Sequence, residues 1–291
     1  MKRFFKILVV VAALGATSLY AHHFFVIANE NSDEPKSATV NIGWGDVMPM
    51  DDFFEGNKLQ SYAIYDPNLK KFEFKFDKNA NIKPEISGKE FPSAGISSGD
   101  SYVQKINFNK DAKEGVYQIS AVTKRLQFSV WKDKNGKTKW GDVYLDEIKD
   151  AQEVTFSLNH QSFAKSYISV GKWSEPKSVG DALEIIPLSD LSTLKVGDEV
   201  KFKILTDGKP LASDHDGSPK LKAYGELFGS DDGYAISSTI EDGIVTIKIV
   251  APGRWIVTTN TIKPVDKTNS PELIGKALSA GYNASITFFV K

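Results

Sequence analysis

The sequence predicts an all-β protein built from two tandem β-sandwich domains that follow a cleaved signal peptide. Short stretches of alternating apolar and polar residues recur along the 291-residue chain, as expected for half-buried strands. Segments with helical character are few. The clearest alternations are Val154/Phe156/Leu158, Val200/Phe202/Ile204, Val245/Ile247/Ile249 and Ala284/Ile286/Phe288/Val290.

The first 21 residues have the pattern of a secretory signal peptide. Basic residues at positions 2, 3 and 6 precede an apolar run over residues 7–16, and Leu19-Tyr20-Ala21 ends on a small residue suited to cleavage. This run is too short for a stable membrane anchor, and no later segment approaches the ~20 apolar residues of a membrane helix. We expect cleavage after Ala21 and a periplasmic protein without stable membrane insertion.

Composition narrows the classes of partner. Removal of the leader, which has three basic residues and no acidic residue, leaves 33 basic and 37 acidic residues and a net charge of −4. This mildly acidic charge does not favour binding to nucleic acid. The chain has no cysteine, so it has neither a disulfide framework nor a thiol nucleophile. There is no glycine-rich phosphate loop that leads into a helix, and we expect a protein that is not an enzyme.

Turn signals place the strands and divide the domains. Asn135-Gly136 lies between two apolar stretches like the tip of a hairpin. Ser270-Pro271-Glu272 predicts a short helix, and residues 146–152 are a weaker helical candidate. Because residues 173–181 interrupt the alternation, we predict an N-terminal domain over residues 22–175 and a C-terminal domain over residues 182–291.

A set of segments in the second half resembles a domain-of-unknown-function family of periplasmic proteins that are labelled as components of ABC-type cobalt/nickel uptake systems. The resemblance covers most of the mature chain and is strongest in this half. Its turn and strand motifs imply Ig-like or transthyretin-like sandwiches. The segments are Phe163-Ala164-Lys165, Leu183-Glu184-Ile185-Ile186-Pro187-Leu188, Gly197-Asp198, Asp207-Gly208-Lys209-Pro210-Leu211 and Pro252-Gly253-Arg254-Trp255.

The first half is similar to the same family, with one departure. The family begins its mature chain with Ala-His, as Ala21-His22 does here, and carries a Gly-Trp-Gly-His-like turn after its second strand. This chain has Gly43-Trp44-Gly45-Asp46, with a carboxylate in place of the histidine. The resemblance implies a role in nickel or cobalt import beside an ABC- or ECF-type transporter of the inner membrane, and Asp46 shifts the ligand set toward oxygen.

His22 and His23 predict a transition-metal site at the mature N-terminus. Cleavage after Ala21 would give His22 a free amine, and an amine, an amide nitrogen and an imidazole can chelate Ni(II) or Cu(II) in one plane. A hairpin around residues 31–35 would pair His22 with Trp44 and bring it close to Asp46. His22, His23 and Asp46 are therefore the candidate ligands, with Met48 and Met50 as further soft donors.

Two alternatives remain open. In a histidine-brace copper oxidoreductase, His22 would chelate through its amine and side chain, and His160 or His215 would supply a second imidazole. In a metal-free interaction or carbohydrate-binding module, Trp131, Trp140 and Trp173 would form an aromatic surface. Asp51-Asp52 and Asp231-Asp232 lack the spacing of a calcium loop, and we expect them to be solvated.

Overall fold

A computed structural model of the protein describes residues 22–31, 36–79, 83–84, 97–213, 219–228 and 236–291. The structure is all-β, as predicted. Its strands are β1 (His23–Asn31), β2 (Ser37–Gly45), β3 (Leu59–Tyr65), β4 (Lys71–Glu73), β5 (Lys83–Pro84), β6 (Ser97–Ser98), β7 (Gln104–Asn107), β8 (Gly115–Thr123), β9 (Leu126–Asp133), β10 (Thr138–Gly141), β11 (Ala151–Val170), β12 (Leu183–Pro187), β13 (Glu199–Thr206), β14 (Lys209–Pro210), β15 (Lys220–Gly225), β16 (Ile236–Thr239), β17 (Ile244–Lys248), β18 (Gly253–Asn260), β19 (Lys263–Pro264) and β20 (Ser279–Val290).

An eleven-stranded central sheet forms the middle of the molecule. Its main path runs β16-β15-β18-β20-β11-β8-β3-β4, while β9 pairs with β11, β10 with β9 and β19 with β20. The pairing of β11 with β20 is parallel, and it joins Leu158 through Ser166 to Ser279 through Thr287. The central sheet is therefore built from strands on both sides of residues 176–181.

Smaller sheets pack on the two faces of the central sheet. The N-terminal sheet has the order β1-β2-β7, and the C-terminal sheet consists of β12, β13, β14 and β17. Alternate residues of β11 pack on opposite faces of the central sheet. Ala164 and Ile168 belong to the core that contains residues of β1, whereas Phe163 and Tyr167 belong to the core that contains residues of β12 and β13. The two sandwiches thus share the central sheet as a middle layer.

The predicted turns are found where the structure describes them. β9 and β10 form a hairpin over Asn135-Gly136, and the carboxylate of Asp133 accepts hydrogen bonds from the N–H groups of Asn135 and Lys137. Asp207-Gly208 has a left-handed backbone at both positions, as a two-residue hairpin turn requires. Asp216-Gly217 and Asp232-Gly233 are further turn signals in the sequence, and both lie outside the described residues.

Helix is limited to three single 3₁₀ turns in the described ranges, at Gly56–Lys58, Leu145–Glu147 and Pro271–Leu273. Ser270 precedes the last of them but makes no side-chain capping bond, so the predicted helix there is only one turn long. The candidate over residues 146–152 is wrong beyond its first residues because β11 begins at Ala151.

The division into domains over residues 22–175 and 182–291 stays a prediction about which parts of the chain fold as units. In the structure, strands from the two ranges pair with each other in the central sheet. The signal peptide predicted for residues 1–21 lies outside the described residues. In the part of the chain that is described, no helix is long and apolar enough to cross a membrane.

Candidate metal site at the start of β1

β1 and β2 form the predicted hairpin with a register that differs by two residues from the prediction. His23 pairs with Gly45 and Phe24 with Trp44, so His22 is not opposite Trp44, and that detail of the prediction is wrong. The pairing of the two strands starts with Asn31 opposite Ser37. Pro35, which lies between these two residues in the sequence, has no N–H to donate to a partner strand. A shift of two residues leaves every side chain on the predicted face of its strand.

β1 is fixed along its length on the central sheet. The carbonyl of Phe24 accepts a hydrogen bond from Ser285 Oγ at 2.6 Å, and the carbonyl of Val26 accepts one from Thr287 Oγ1. Phe24 through Ile27 are all buried. The residue that precedes β1 is consequently held at a defined place on the surface.

His22 lies beside Trp44 and Asp52. The imidazole and the Trp44 ring meet edge to face with their centroids 5.5 Å apart. His22 Nδ1 lies 3.5 Å from Asp52 Oδ2, and the two side chains are 35% and 44% exposed. The edge of β1 therefore presents an imidazole and a carboxylate together at an accessible position.

His23 points to the opposite face of β1. Its ring lies 5.3 Å from that of Tyr224, on the side where Phe25 and Ile27 pack with Tyr224. Adjacent residues of a strand point to opposite faces, and β1 obeys this rule from its first residue. The imidazoles of His22 and His23 can meet at one ion only if the first residues leave the sheet.

The loop after β2 brings Asp52 back to the site. Asp51 Oδ1 accepts hydrogen bonds from the N–H groups of Asp46 at 2.8 Å and Val47 at 3.3 Å, which closes the loop. The N–H of Asp52 then donates to the Trp44 carbonyl, and the two residues form an isolated β-bridge. Asp51 and Asp52 thus have structural and site roles that the sequence analysis missed.

Asp46 sits at the beginning of this loop. It is half-buried, and its Oδ1 atom is shielded from solvent. Its role as a ligand stays a prediction, and the carboxylate in contact with His22 is that of Asp52. The spacing of residues in the sequence does not show whether Asp46 or Asp52 lies next to His22. The answer depends on how the loop closes, and this closure depends on Asp51.

Met48 is a core residue rather than an accessible soft donor. It is 9% exposed and packs with Phe25, Ile27, Tyr224 and Ile256. Its burial removes Met48 from the candidate donors, while the partly exposed Met50 stays a prediction.

The distance between His22 Nδ1 and Asp52 Oδ2 suits two ligands of one metal ion. Bond lengths of about 2.0–2.1 Å and a 3.5 Å separation give an angle of ~115° at the ion, close to tetrahedral. Within the described ranges, no three His, Asp or Glu side chains are grouped as a metal site. A free amine on His22 would supply a third protein donor of another kind.

Of the two other histidines proposed as donors, His160 is described by the structure. His160 lies on β11 opposite Leu126 and Gly281, and its Nδ1 is buried without a hydrogen-bond partner in the described structure. Burial, with the nearby Arg125 guanidinium, lowers the pKa of His160 to about 4. His215 and Asp231-Asp232 lie outside the described residues.

The three tryptophans proposed for sugar stacking do not share one surface. Trp140 is 73% exposed and pairs with Val130 across the β9–β10 hairpin. Trp131, the next residue of β9, therefore faces the other side of the hairpin, and its indole N–H donates a hydrogen bond to the Asp150 carboxylate. Trp173 packs against the C-terminal core.

A comparison with protein families identifies the chain. A family model described as a domain of unknown function (DUF4198) matches residues 19–263, which is most of the sequence, and the protein belongs to that family. No curated protein matches the chain. The predicted membership of a domain-of-unknown-function family is confirmed.

Proposed function

We propose that the protein is a periplasmic metal-binding or metal-delivery accessory protein associated with nickel or cobalt import. One transition-metal ion binds at the start of β1 through the His22 amine, the His22 imidazole and the Asp52 carboxylate. The observation that carries the proposal is the 3.5 Å approach of His22 Nδ1 to Asp52 Oδ2 at an accessible edge.

This set of donors suits divalent ions from the second half of the first transition-metal series. An amine and an imidazole are borderline nitrogen donors that favour nickel, cobalt or copper, while one carboxylate contributes charge without imposing a geometry. Cleavage after Ala21 would create the amine and its chelate ring with the His22 side chain. Asp46 and His23 are further candidate ligands, and His23 would join after the terminus has left β1.

The position of the site fits transfer of a metal ion. His22 and Asp52 are partly open to solvent, and a half-exposed site with three protein donors leaves coordination positions for a receiving protein. An ABC- or ECF-type transporter in the inner membrane is the proposed partner. A buried site with four protein ligands would instead fit a structural ion.

The test uses protein exported with its own leader. Intact mass should give a chain that begins at His22, and metal analysis with calorimetry should give one equivalent of Ni(II), Co(II) or Cu(II). A chain that begins elsewhere would remove the amine from the site. A correctly processed chain with no bound metal and no heat with any of the three ions would leave the metal-free module as the remaining function.

A histidine-brace copper enzyme is the second candidate, and His160 is the described residue that it would need. By strand alternation His160 shares the β1-covered face of β11 with Ala164, about 13 Å along the strand at ~3.3 Å per residue. Its unpartnered Nδ1 favours this candidate. Under the delivery proposal His160→Ala leaves copper affinity unchanged, whereas under the brace it abolishes tight binding.

A further inference from the structure

Lys165 is a buried lysine between the central sheet and the C-terminal sheet. Its side chain is 3% exposed, and its neighbours on the same face of β11, Phe163 and Tyr167, belong to the large core cluster. An ammonium group is unfavourable in such surroundings unless partners compensate for its lost hydration.

Two carboxylates meet this ammonium. Asp181 Oδ2 lies 3.1 Å from Lys165 Nζ, and Glu184 Oε1 is in direct contact with it. The side chains of Asp181 and Glu184 are 13% and 0% exposed. Asp181 lies just before β12 and Glu184 lies within it, so the cluster joins β11 to the first strand of the C-terminal sheet.

The two carboxylates have different surroundings. Glu184 accepts hydrogen bonds from the Ser178 hydroxyl and from the N–H groups of Val179 at 2.9 Å and Gly180 at 3.3 Å. Asp181 Oδ2 is buried and, in the described structure, has no partner besides the ammonium.

These surroundings give the two groups opposite protonation preferences. Burial raises the pKa of Asp181 and favours its neutral form. Burial also pushes the pKa of Glu184 upward, but Lys165 and the hydrogen bonds from Ser178 and Val179 outweigh it, so this pKa is lowered. The cluster thus contains one carboxyl group that tends to be neutral and one that stays ionised.

We propose that Lys165 and Asp181 condense into an intramolecular isopeptide bond, with Glu184 as the proton acceptor. The proposal is independent of the metal site. It assigns to this cluster a covalent link between β11 and the segment that leads into β12.

The reaction is a condensation without a redox step. Glu184 takes a proton from the Lys165 ammonium, and the neutral Nζ attacks Cγ of the protonated Asp181 carboxyl group. The Nζ–Cγ bond forms, the bond from Cγ to one carboxyl oxygen breaks, and that oxygen leaves as water with one proton from its own hydroxyl and one from Nζ. The products are a secondary amide, one water molecule and a protonated Glu184, so atoms and charge balance.

Geometry and solvation both favour this step. Lys165 Nζ lies 3.1 Å from Asp181 Oδ2, which is bonded to Cγ. The distance from Nζ to Cγ is therefore at most about 4.3 Å, near the separation of reacting atoms that a protein holds in position. A neutral amide replaces an ion pair whose desolvation is unfavourable in a core. Exclusion of bulk water then protects the amide from hydrolysis.

Mass spectrometry of the denatured wild-type protein tests the proposal directly. The expected mass is lower than that of the processed sequence by one water molecule. Trypsin should fail to cut after Lys165, and a branched peptide should join residues 150–172 to residues 178–195 with the link at Asp181. A wild-type mass equal to the sequence mass, or a link at Glu184, would overturn the assignment.

Variants separate the roles of the three residues. Lys165→Met and Asp181→Ala should each have the unmodified mass, and Glu184→Gln should retain the two reacting groups but form little or none of the link. Lys139→Met is the matched control because it removes a lysine from an exposed ion pair with Asp150 and should leave the water loss intact. The link still present in Asp181→Ala would contradict the proposal, and the wild-type measurement does not depend on whether any variant folds.

Discussion

Gly45 and Asp51 fit together without room for a side chain on the glycine. A β-carbon on Gly45 would lie 1.7 Å from Asp51 Oδ1, the atom that accepts the N–H groups of Asp46 and Val47. Gly45 also has a φ of +131°, which side-chain-bearing residues rarely adopt. The glycine therefore permits the loop closure that places Asp52 next to His22.

Gly45→Ala should destabilise the protein and weaken metal binding together. The strained backbone and the displaced Asp51 should lower the free energy of unfolding by ~1–3 kcal/mol, and Asp52 should lose its place beside His22. Urea denaturation and nickel calorimetry measure the two effects. Gly141→Ala is the control because nothing lies within 4 Å of its β-carbon position; equal behaviour of the two variants would contradict the argument.

Asp52→Asn should weaken metal binding more than Asp46→Asn. Asp52 is the carboxylate in contact with His22, and loss of a charged donor should lower nickel affinity by about tenfold or more. Calorimetry on processed protein measures the change. Asp111→Asn removes an exposed carboxylate elsewhere and should have no effect. A larger loss for Asp46→Asn would make Asp46 the oxygen ligand.

A processed protein whose His22 amine has been acetylated should bind metal about as weakly as His22→Ala. Acetylation turns the His22 amine into an amide and removes one donor, while His22→Ala removes the imidazole. His23→Ala should retain affinity because that ring lies against Tyr224 on the other face of β1. If His23→Ala were as damaging as His22→Ala, the terminus would have to leave the sheet when metal binds.

Metal binding should also weaken as the pH falls. The amine and the imidazole bind a metal only when deprotonated, so protons compete with the ion through the range in which histidine and α-amino groups titrate. Nickel titrations at a series of pH values, with proton uptake or release measured in buffers of different ionisation heat, give the number of protons displaced. An affinity independent of pH would exclude these donors.

The neutral form of His160 should stabilise the fold at neutral pH. Its folded pKa of about 4 lies below the ordinary 6.5, so the unfolded chain binds the proton more tightly. The stabilisation is complete above pH 6.5 and is lost as the pH falls toward 4, by ~2 kcal/mol between pH 7 and pH 5. Urea denaturation should show a shallower pH dependence in this window for His160→Asn, and parallel curves would contradict the buried neutral imidazole.

Much of the fold follows from the sequence because period-two alternation and turn residues are local signals. The hairpin at Asn135-Gly136 and the β1–β2 pairing depend on a few neighbouring residues. The sharing of one sheet by both halves does not, because the parallel pairing of β11 with β20 is set by packing over long sequence separation. No local pattern encodes which distant strand completes a sheet.

The candidate site was predictable only in part. Strand alternation places His22 and His23 on opposite faces, whereas Gly43-Trp44-Gly45, expected in a turn after the second strand, forms the end of β2. The contact of His22 with Asp52 depends on Asp51, which folds the loop back toward Trp44. Two adjacent aspartates with different roles look alike in sequence, and only the backbone path separates them.

The hydrogen bonds from Ser285 and Thr287 to β1 also bear on the order of folding. Each joins residues separated by 261 positions along the chain, among the longest separations that the molecule contains. Contacts between such distant segments form late because a long stretch of chain must first be closed into a loop. His22 is synthesised early because it lies near the start of the chain, yet the surface that holds it is completed only when β20 is in place.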